Sequence, residues 1–256
     1  MDTETIINTI ISGELDEIEK KEKVHILHCV ESGSRAWGFA SPDSDFDVRF
    51  IYVRQKNFYL QLNNARDVIE WKLNDTLDIN GWDLKKALIL LHKSNPTIFE
   101  WKNSPIIYRT TPEWDQISPV IDKYFQGKSA LFHYLNTAKH NYKDFLQGKS
   151  VRLKKYFYAL RPILACRWIL ENNSPPPMLF TELADACLDK GIFPVVSELL
   201  NRKRNTEELG EGKRIDDINE YICRSIGEFE AILTDYPKNS PSDWSELNHL
   251  FLKILK

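Results

Sequence analysis

The sequence predicts an α+β fold: a small mixed sheet with flanking helices, followed by an all-helical region. Three observations predict it. Short apolar runs bounded by Gly, Pro, Asn and Asp cluster between residues 24 and 82. Helical patterns flank them, over residues 3–22 and 84–94. After about residue 112 the apolar spacing turns helical and stays so to the end. The expected division is therefore residues 1–112 and residues 113–256.

In chain order, residues 3–22 read as an opening helix with an Ile6, Ile7, Ile10, Ile11 stripe, and the charged run 14–23 as its exit. Val24, Ile26, Leu27, Cys29 and Val30 form the apolar run of a mostly buried strand, which Gly33-Ser34 ends. The loop Arg35–Ser44 contains the turn signal Ser41-Pro42-Asp43-Ser44. Phe46–Val53 is a second strand with Asp45 and Asp47 at its mouth, and residues 56–66 are helical or irregular. Val68–Leu73 and Leu77–Trp82 read as the third and fourth strands, joined by an Asn74-Asp75 turn. Asp83 is placed to N-cap the helix Leu84–Ser94, which Asn95-Pro96 breaks. A short helix or turn near residues 97–102 and an edge strand over Ser104–Tyr108 complete the sheet region. Beyond it, helices are expected over Trp114–Gln147, with a break near Gly127–Ser129, and over Val151–Asn172, with a kink or a short break at Pro162. Further helices are expected over Phe180–Lys190, Val195–Asn201 and Arg214–Leu233, and in a terminal segment opened by Ser242-Asp243-Trp244-Ser245-Glu246. Gly210-Glu211-Gly212 reads as a loop.

Composition narrows the class. An apolar share of 42% and a charged share of 28% are ordinary for a soluble globular chain. The formal net charge of −3 announces no global basic field, and leaves room only for a local one. Four cysteines without C-x-x-C spacing argue against a zinc ribbon or a disulfide framework and fit a reducing cytoplasm. The acidic, amphipathic opening residues lack the pattern of a signal peptide. No apolar run approaches the roughly 20 residues that span a bilayer, so no membrane partner is expected.

The chemistry concentrates in residues 24–53. A glycine turn after a buried strand lets backbone approach a phosphate closely, and Ser34 adds a hydroxyl for a phosphate oxygen. Asp45 and Asp47, at i and i+2, are expected on one side of a strand. Like charges so close repel, and a divalent cation with hard-oxygen preference relieves the repulsion. A third carboxylate on a neighbouring strand would complete a two-metal site for nucleotidyl transfer, with Mg²⁺ as the expected ion and Mn²⁺ as a substitute.

The pattern Gly33-Ser34, about ten residues, then Asp45-x-Asp47 resembles the DNA polymerase β-like nucleotidyltransferase superfamily. The stretch Gly33-Ser34-Arg35-Ala36-Trp37-Gly38-Phe39, with Ser41-Pro42-Asp43-Ser44-Asp45-Phe46-Asp47, resembles one branch more closely: the predicted nucleotidyltransferases associated with RNA ligases. Gly81-Trp82-Asp83-Leu84, Ser94-Asn95-Pro96 with Glu100-Trp101, and Lys154-Lys155-Tyr156 with Leu160-Arg161-Pro162 and Trp168 look like that branch too. The resemblance implies that Gly33 and Ser34 hold the triphosphate of an NTP and that Asp45 and Asp47 bind metal. Of Asp75, Asp78 and Asp83, Asp78 lies within an alternating strand and is expected as third ligand and general base, whereas Asp83 suits a helix cap. Arg35 is expected to neutralise phosphate charge. Lys154, Lys155, Tyr158 and Arg161 are expected to help bind the nucleotide. Lys154, Tyr158 and Arg161 share one helix face, one as suited to solvent as to phosphate.

The function expected is NMP transfer from an NTP to an acceptor hydroxyl, with an RNA end or tRNA favoured. A protein hydroxyl or a small molecule is the alternative acceptor, and a non-catalytic nucleotide- or RNA-binding role is the alternative class. Glu31 reads as a polar strand end, the six histidines are too dispersed for a metal or catalytic set, and Trp37 reads either as a base-stacking group or as an anchor of its loop.

Overall fold

The computed structural model describes residues 3–63, 66–73, 76–205, 210–237 and 243–255. Asp75 and Ser242, both weighed above, lie outside them. The sheet is mixed, as expected. It has five strands: β1 (Val24–Glu31), β2 (Phe46–Arg54), β3 (Val68–Leu73), β4 (Leu77–Asp83) and β5 (Ile107–Thr110). Their spatial order is β3-β4-β2-β1-β5. Only β2 and β4 run parallel among these pairs; the others are antiparallel.

Side-chain alternation sends each strand's apolar residues to two different cores. Val48, Phe50 and Tyr52 of β2, with Ile26, Cys29 and Ile79, pack against helix α1 (Thr3–Glu22). The α1 residues that meet them are Ile11, Leu15 and Ile18, at i, i+4 and i+7. Ile6 and Ile10 of the expected stripe stay exposed. The charged run is not the helix exit but its second half. There Glu19 accepts the Ile26 N–H at 2.7 Å, and Asp16 and Glu19 pair with Arg109 of β5.

The other face of the sheet presents Leu27, Val30, Ile51 and Val53. Two short helices, α2 (Gly33–Ala36) and α3 (Lys56–Tyr59), bracket β2. This face is covered by α4 (Leu84–His92), α5 (Pro96–Lys102), α6 (Trp114–Ile121) and the last helix, α12 (Ser245–Ile254). Asp83 caps α4 by accepting the Lys85 N–H at 2.8 Å, and Asn95 caps α5 through Thr97.

A second, helical body holds α7 (Gly127–Phe145), α8 (Lys155–Asn172), α9 (Phe180–Cys187), α10 (Phe193–Asn205) and α11 (Asp216–Asp235) around one apolar core. Two expectations are corrected there. Residues 150–153 are not the start of the long helix. Ser150–Arg152 forms strand β6, paired antiparallel with β7 (Glu211–Lys213), where a loop was expected. Val151 and Leu153 are buried on a period of two, and Gly212 lies so close to Leu153 that an added Cβ would come within 2.8 Å of its Cδ1. Apolar residues at that spacing read as either period over so short a run. Helix α8 also runs through Pro162 without a break. Among the described residues, no helix is long and apolar enough to cross a membrane.

His28 of β1 is buried and stacks on Trp114 of α6, with ring centroids 4.2 Å apart and planes within 6°. Burial lowers its pKa to about 4. The unfolded chain then takes up a proton near pH 6.5 that the folded chain refuses until about 4. Stability therefore falls as pH drops through that window, by up to about 3 kcal/mol from this group. Buried Glu31, whose carboxyl is raised to about 7, acts in the opposite sense over the same range. Between pH 6.5 and 4 the urea midpoint of a His28→Phe variant is therefore expected to rise relative to that of the native chain.

Candidate active site

The parallel β2–β4 pair sets the geometry. Its register makes Asp47 and Asp78 direct Cα partners, so their side chains leave the same face at one end of the sheet. Arg49, two residues along β2, sits between them. Its Nη2 donates to Asp47 Oδ1 at 3.0 Å and to Asp78 Oδ2 at 2.6 Å, and its Nη1 to the Asp78 carbonyl at 2.9 Å. Asp83 stands at the opposite end of the ladder, opposite Tyr52. It is engaged there by Lys85 N–H and the Tyr59 hydroxyl, the helix-capping role read from the sequence.

Asp47 is held from the backbone side as well. Buried Glu31, at the end of β1, accepts the Asp47 N–H at 2.7 Å and the Tyr108 hydroxyl proton. Burial lifts the Glu31 carboxyl to about 7, against the pull of those two bonds. Gly33 starts α2 with φ +59°, and its Cα faces the Asp47 carboxylate so closely that an added Cβ would lie 2.0 Å from Oδ2. The glycine turn serves the carboxylate at least as directly as any phosphate. Asp47 is pushed above the usual carboxylate range by burial, then by the charges of Asp78 and Asp45, with Arg49 opposing.

Asp45 lies just before β2 and is exposed, so it belongs to the loop end rather than to the strand proper. The loop is clamped by Arg35. Its guanidinium donates to the carbonyls of Ser44 and Asp45 and lies 3.7 Å over the Phe46 ring. Arg35 thus positions the acidic loop, where a phosphate contact was expected. Ser41 and Ser44 join through their hydroxyls at 2.9 Å.

These acids face cations across a cleft of about 170 Å³. Asp43, Asp45 and Asp47 line it together with Ser34, and Lys154, Tyr158 and Lys203 line it from the helical body. Of the residues read from the sequence, Ser34, Asp45, Asp47, Lys154 and Tyr158 meet here, Gly33 lies under Asp47, and Asp78 connects through Arg49. Besides Arg35 on its loop, two do not join them. Arg161 is 2% exposed and pairs with Glu100 at 2.8 Å, while its guanidinium lies 4.6 Å from the Trp37 ring. Buried in the core, it is no nucleotide ligand. Lys155 lies over the rings of Phe145 and Tyr158, at 4.1 and 5.0 Å. Trp37 packs on Phe39 and Tyr158, and Phe180 N–H donates to its carbonyl, so it anchors the loop to the helical body.

Sequence reasoning missed Lys203, Arg49 and the full role of Glu31. Lys203 sits in the run Arg202-Lys203-Arg204, which reads as a solvated helix end. Yet Val196, Leu199, Leu200 and Lys203 share one buried face of α10, and that spacing was the available signal.

A model of the RNA repair pathway DNA polymerase beta family (RlaP) matches residues 7–253. The chain belongs to this family. It is a nucleotidyltransferase, as the sequence resemblance implied. The uncharacterized protein YcgL of Bacillus subtilis (strain 168) is 44% identical over 250 residues, covering 96% of this chain and 95% of that one. Among solved structures, a nucleotidyltransferase-like protein from Exiguobacterium sibiricum 255-15 is 12% identical, with a TM-score of 0.33 over 90% of this chain and 75% of its own.

A nucleotidyltransferase invites a divalent cation. Asp45 and Asp47 fit one: both are hard-oxygen donors on one wall of the cleft, and the Asp47 carboxyl is raised by burial first, with the charges of Asp78 and Asp45 adding to it. Asp78 is engaged by Arg49, and among the described residues no three His, Cys, Asp or Glu side chains stand together closely enough to hold a metal ion. The expected three-carboxylate set is therefore present as a pair plus an Arg-bound neighbour.

Two substitutions separate these roles. Gly33→Ala should drive its methyl into the Asp47 carboxylate. Transferase activity is expected to fall about 100-fold, with a stability loss of only about 1–2 kcal/mol. Arg161→Ala leaves half-buried Glu100 without its cation and a void where the guanidinium packs on Trp37. Urea unfolding should show a loss of about 2–3 kcal/mol.

Proposed function

We propose that this polymerase-β-family protein transfers NMP from an NTP to the hydroxyl of an RNA end, releasing pyrophosphate. The observation that supports it is the facing of Asp45 and Asp47 against Lys154 and Lys203 across one cleft. The triphosphate would lie along the lysines, with the Ser34 hydroxyl donating to a phosphate oxygen. Asp45 and Asp47 would hold Mg²⁺ or Mn²⁺, which supplies Lewis-acid charge neutralisation at the phosphates. The acceptor oxygen forms its bond to the α-phosphorus as the α–β bridging P–O bond breaks. Asp78 is the group we assign to take the acceptor hydroxyl's proton, oriented by the Arg49 bridge. Lys154 and Lys203 then neutralise the charge that grows on the leaving pyrophosphate.

RNA is favoured as acceptor by the family's RNA-repair description. The reducing-cytoplasm expectation fits four cysteines that are all free, three of them buried.

The test is incubation with each α-labelled NTP, Mg²⁺ or Mn²⁺, and either total RNA or cell protein. Label should appear in RNA. Asp47→Ala should abolish it, and Asp78→Asn should slow it about 1,000-fold with NTP affinity nearly unchanged. Lys154→Gln should instead weaken NTP binding about 10-fold. Label on RNA that persists in Asp47→Ala, or turnover lost in Asp83→Asn but kept in Asp78→Asn, overturns the assignment.

A further inference from the structure

The net charge of −3 hides a local segregation. Residues 149–155 carry Lys149, Arg152, Lys154 and Lys155 and no acid. They run straight into the cleft, which Lys154 lines. The first of them belong to the two-stranded β6–β7 ladder. Its inner face is Val151 and Gly212, turned to Leu153. Alternation therefore turns Ser150, Arg152, Glu211 and Lys213 outward, and all four are exposed.

The pairing register places Ser150 opposite Lys213 and Arg152 opposite Glu211. Lys149 extends the ladder, its carbonyl accepting the Arg214 N–H at 3.1 Å. Glu211, directly opposite Arg152, answers one of these charges and Asp216 pairs with Arg214 at 2.7 Å, which leaves a net excess of two positive charges among Lys149, Arg152 and Lys213 along the ladder. The excess is felt nearby: the Lys155 ammonium is depressed by burial and then by the charges of Lys154 and Arg152. Phosphate-binding surfaces have this character, a row of exposed cations on a rigid element leading to the reacting centre.

We propose that the outer face of the β6–β7 ladder, through Lys149, Arg152 and Lys213, binds the phosphodiester backbone of single-stranded RNA and leads its end to the cleft at Lys154. The proposal rests on RNA being the acceptor. It adds where the strand lies and which side chains hold it. A single strand suits the site because the ladder is narrow, three residues a side, and its contacts are to backbone charge rather than to base edges.

The test is fluorescence anisotropy of an end-labelled RNA of about 12 nucleotides, without NTP, over about 50 to 200 mM salt. The native chain is compared with Lys149→Gln/Arg152→Gln/Lys213→Gln. A control variant, Lys20→Gln/Lys56→Gln/Lys190→Gln, removes as much charge from exposed sites elsewhere. Three phosphate contacts contribute a slope of about −2 in log K against log salt, so the ladder variant should bind on the order of 10- to 100-fold more weakly near 0.1 M salt, with the slope shallower by about 2. The control variant should bind as the native chain does, and NTP affinity should be the same in all three. Equal loss in both variants, or no loss in the ladder variant, overturns the proposal and leaves the RNA-acceptor reading standing. No salt-dependent RNA binding by the native chain overturns both, and label then found on protein in the transfer assay names the other acceptor class.

Discussion

Asp47 is held by three neighbours at once: the Gly33 Cα against its carboxylate, the Glu31 carboxyl on its N–H, and the Arg49 guanidinium between it and Asp78. Each depends on a different feature of the sheet. Gly33 requires the turn at the end of β1, Glu31 the antiparallel β1–β2 pairing, and Arg49 the parallel β2–β4 pairing. A carboxylate this confined cannot swing away from its neighbours, so the repulsion among Asp45, Asp47 and Asp78 is built in. Arg49 offsets part of it.

The cleft has walls from different parts of the chain. Acids come from the sheet and lysines from the helical body, so the site is complete only when the two pack together. Several contacts lock that packing. Phe39, from the loop after α2, is buried among Phe157 and Phe180 of the helical core. Arg204 of α10 donates to the Gly38 carbonyl. Glu100 of α5 receives both Arg161 of α8 and the Tyr134 hydroxyl of α7. Helix α12 returns the end of the chain to the sheet, beside Leu84 and Trp114. A buried Arg–Glu pair adds little net stability over an apolar pair. Its value here is geometric, since it ties α8, at whose start Lys154 stands, to α5.

The sheet was legible because its strands are short, apolar and sharply punctuated, and the Gly-Ser and Asp-x-Asp spacing exposed half of the cleft. What stayed hidden was partner choice. Nothing local in the sequence says that β2 and β4 pair in parallel with Asp47 opposite Asp78. Arg161 looked like a surface cation because Lys154, Tyr158 and Arg161 share a helical face. The face is real, but it turns from cleft to core within one helical turn. Val151 fitted a helical period as well as an alternating one, and the partner strand that decided between them lies some sixty residues away. Lys203 was obscured by the two exposed arginines beside it, although its own position on the buried face of α10 is readable.

Charge is segregated in the fold. Acids crowd the sheet's end and cations crowd the α8 and α10 ends and the β6–β7 ladder, while the whole chain remains slightly acidic. A polyanion approaching such a molecule is repelled by the average field and attracted by one face. That arrangement favours orientation over raw affinity, because only an approach along the basic face gains energy. It also keeps the negative carboxylate cluster from meeting phosphate directly. The lysines of the opposite wall stand across the cleft from the acids. A wholly basic protein would bind nucleic acid anywhere on its surface; under the function proposed above, this one would bind it productively only beside the acids.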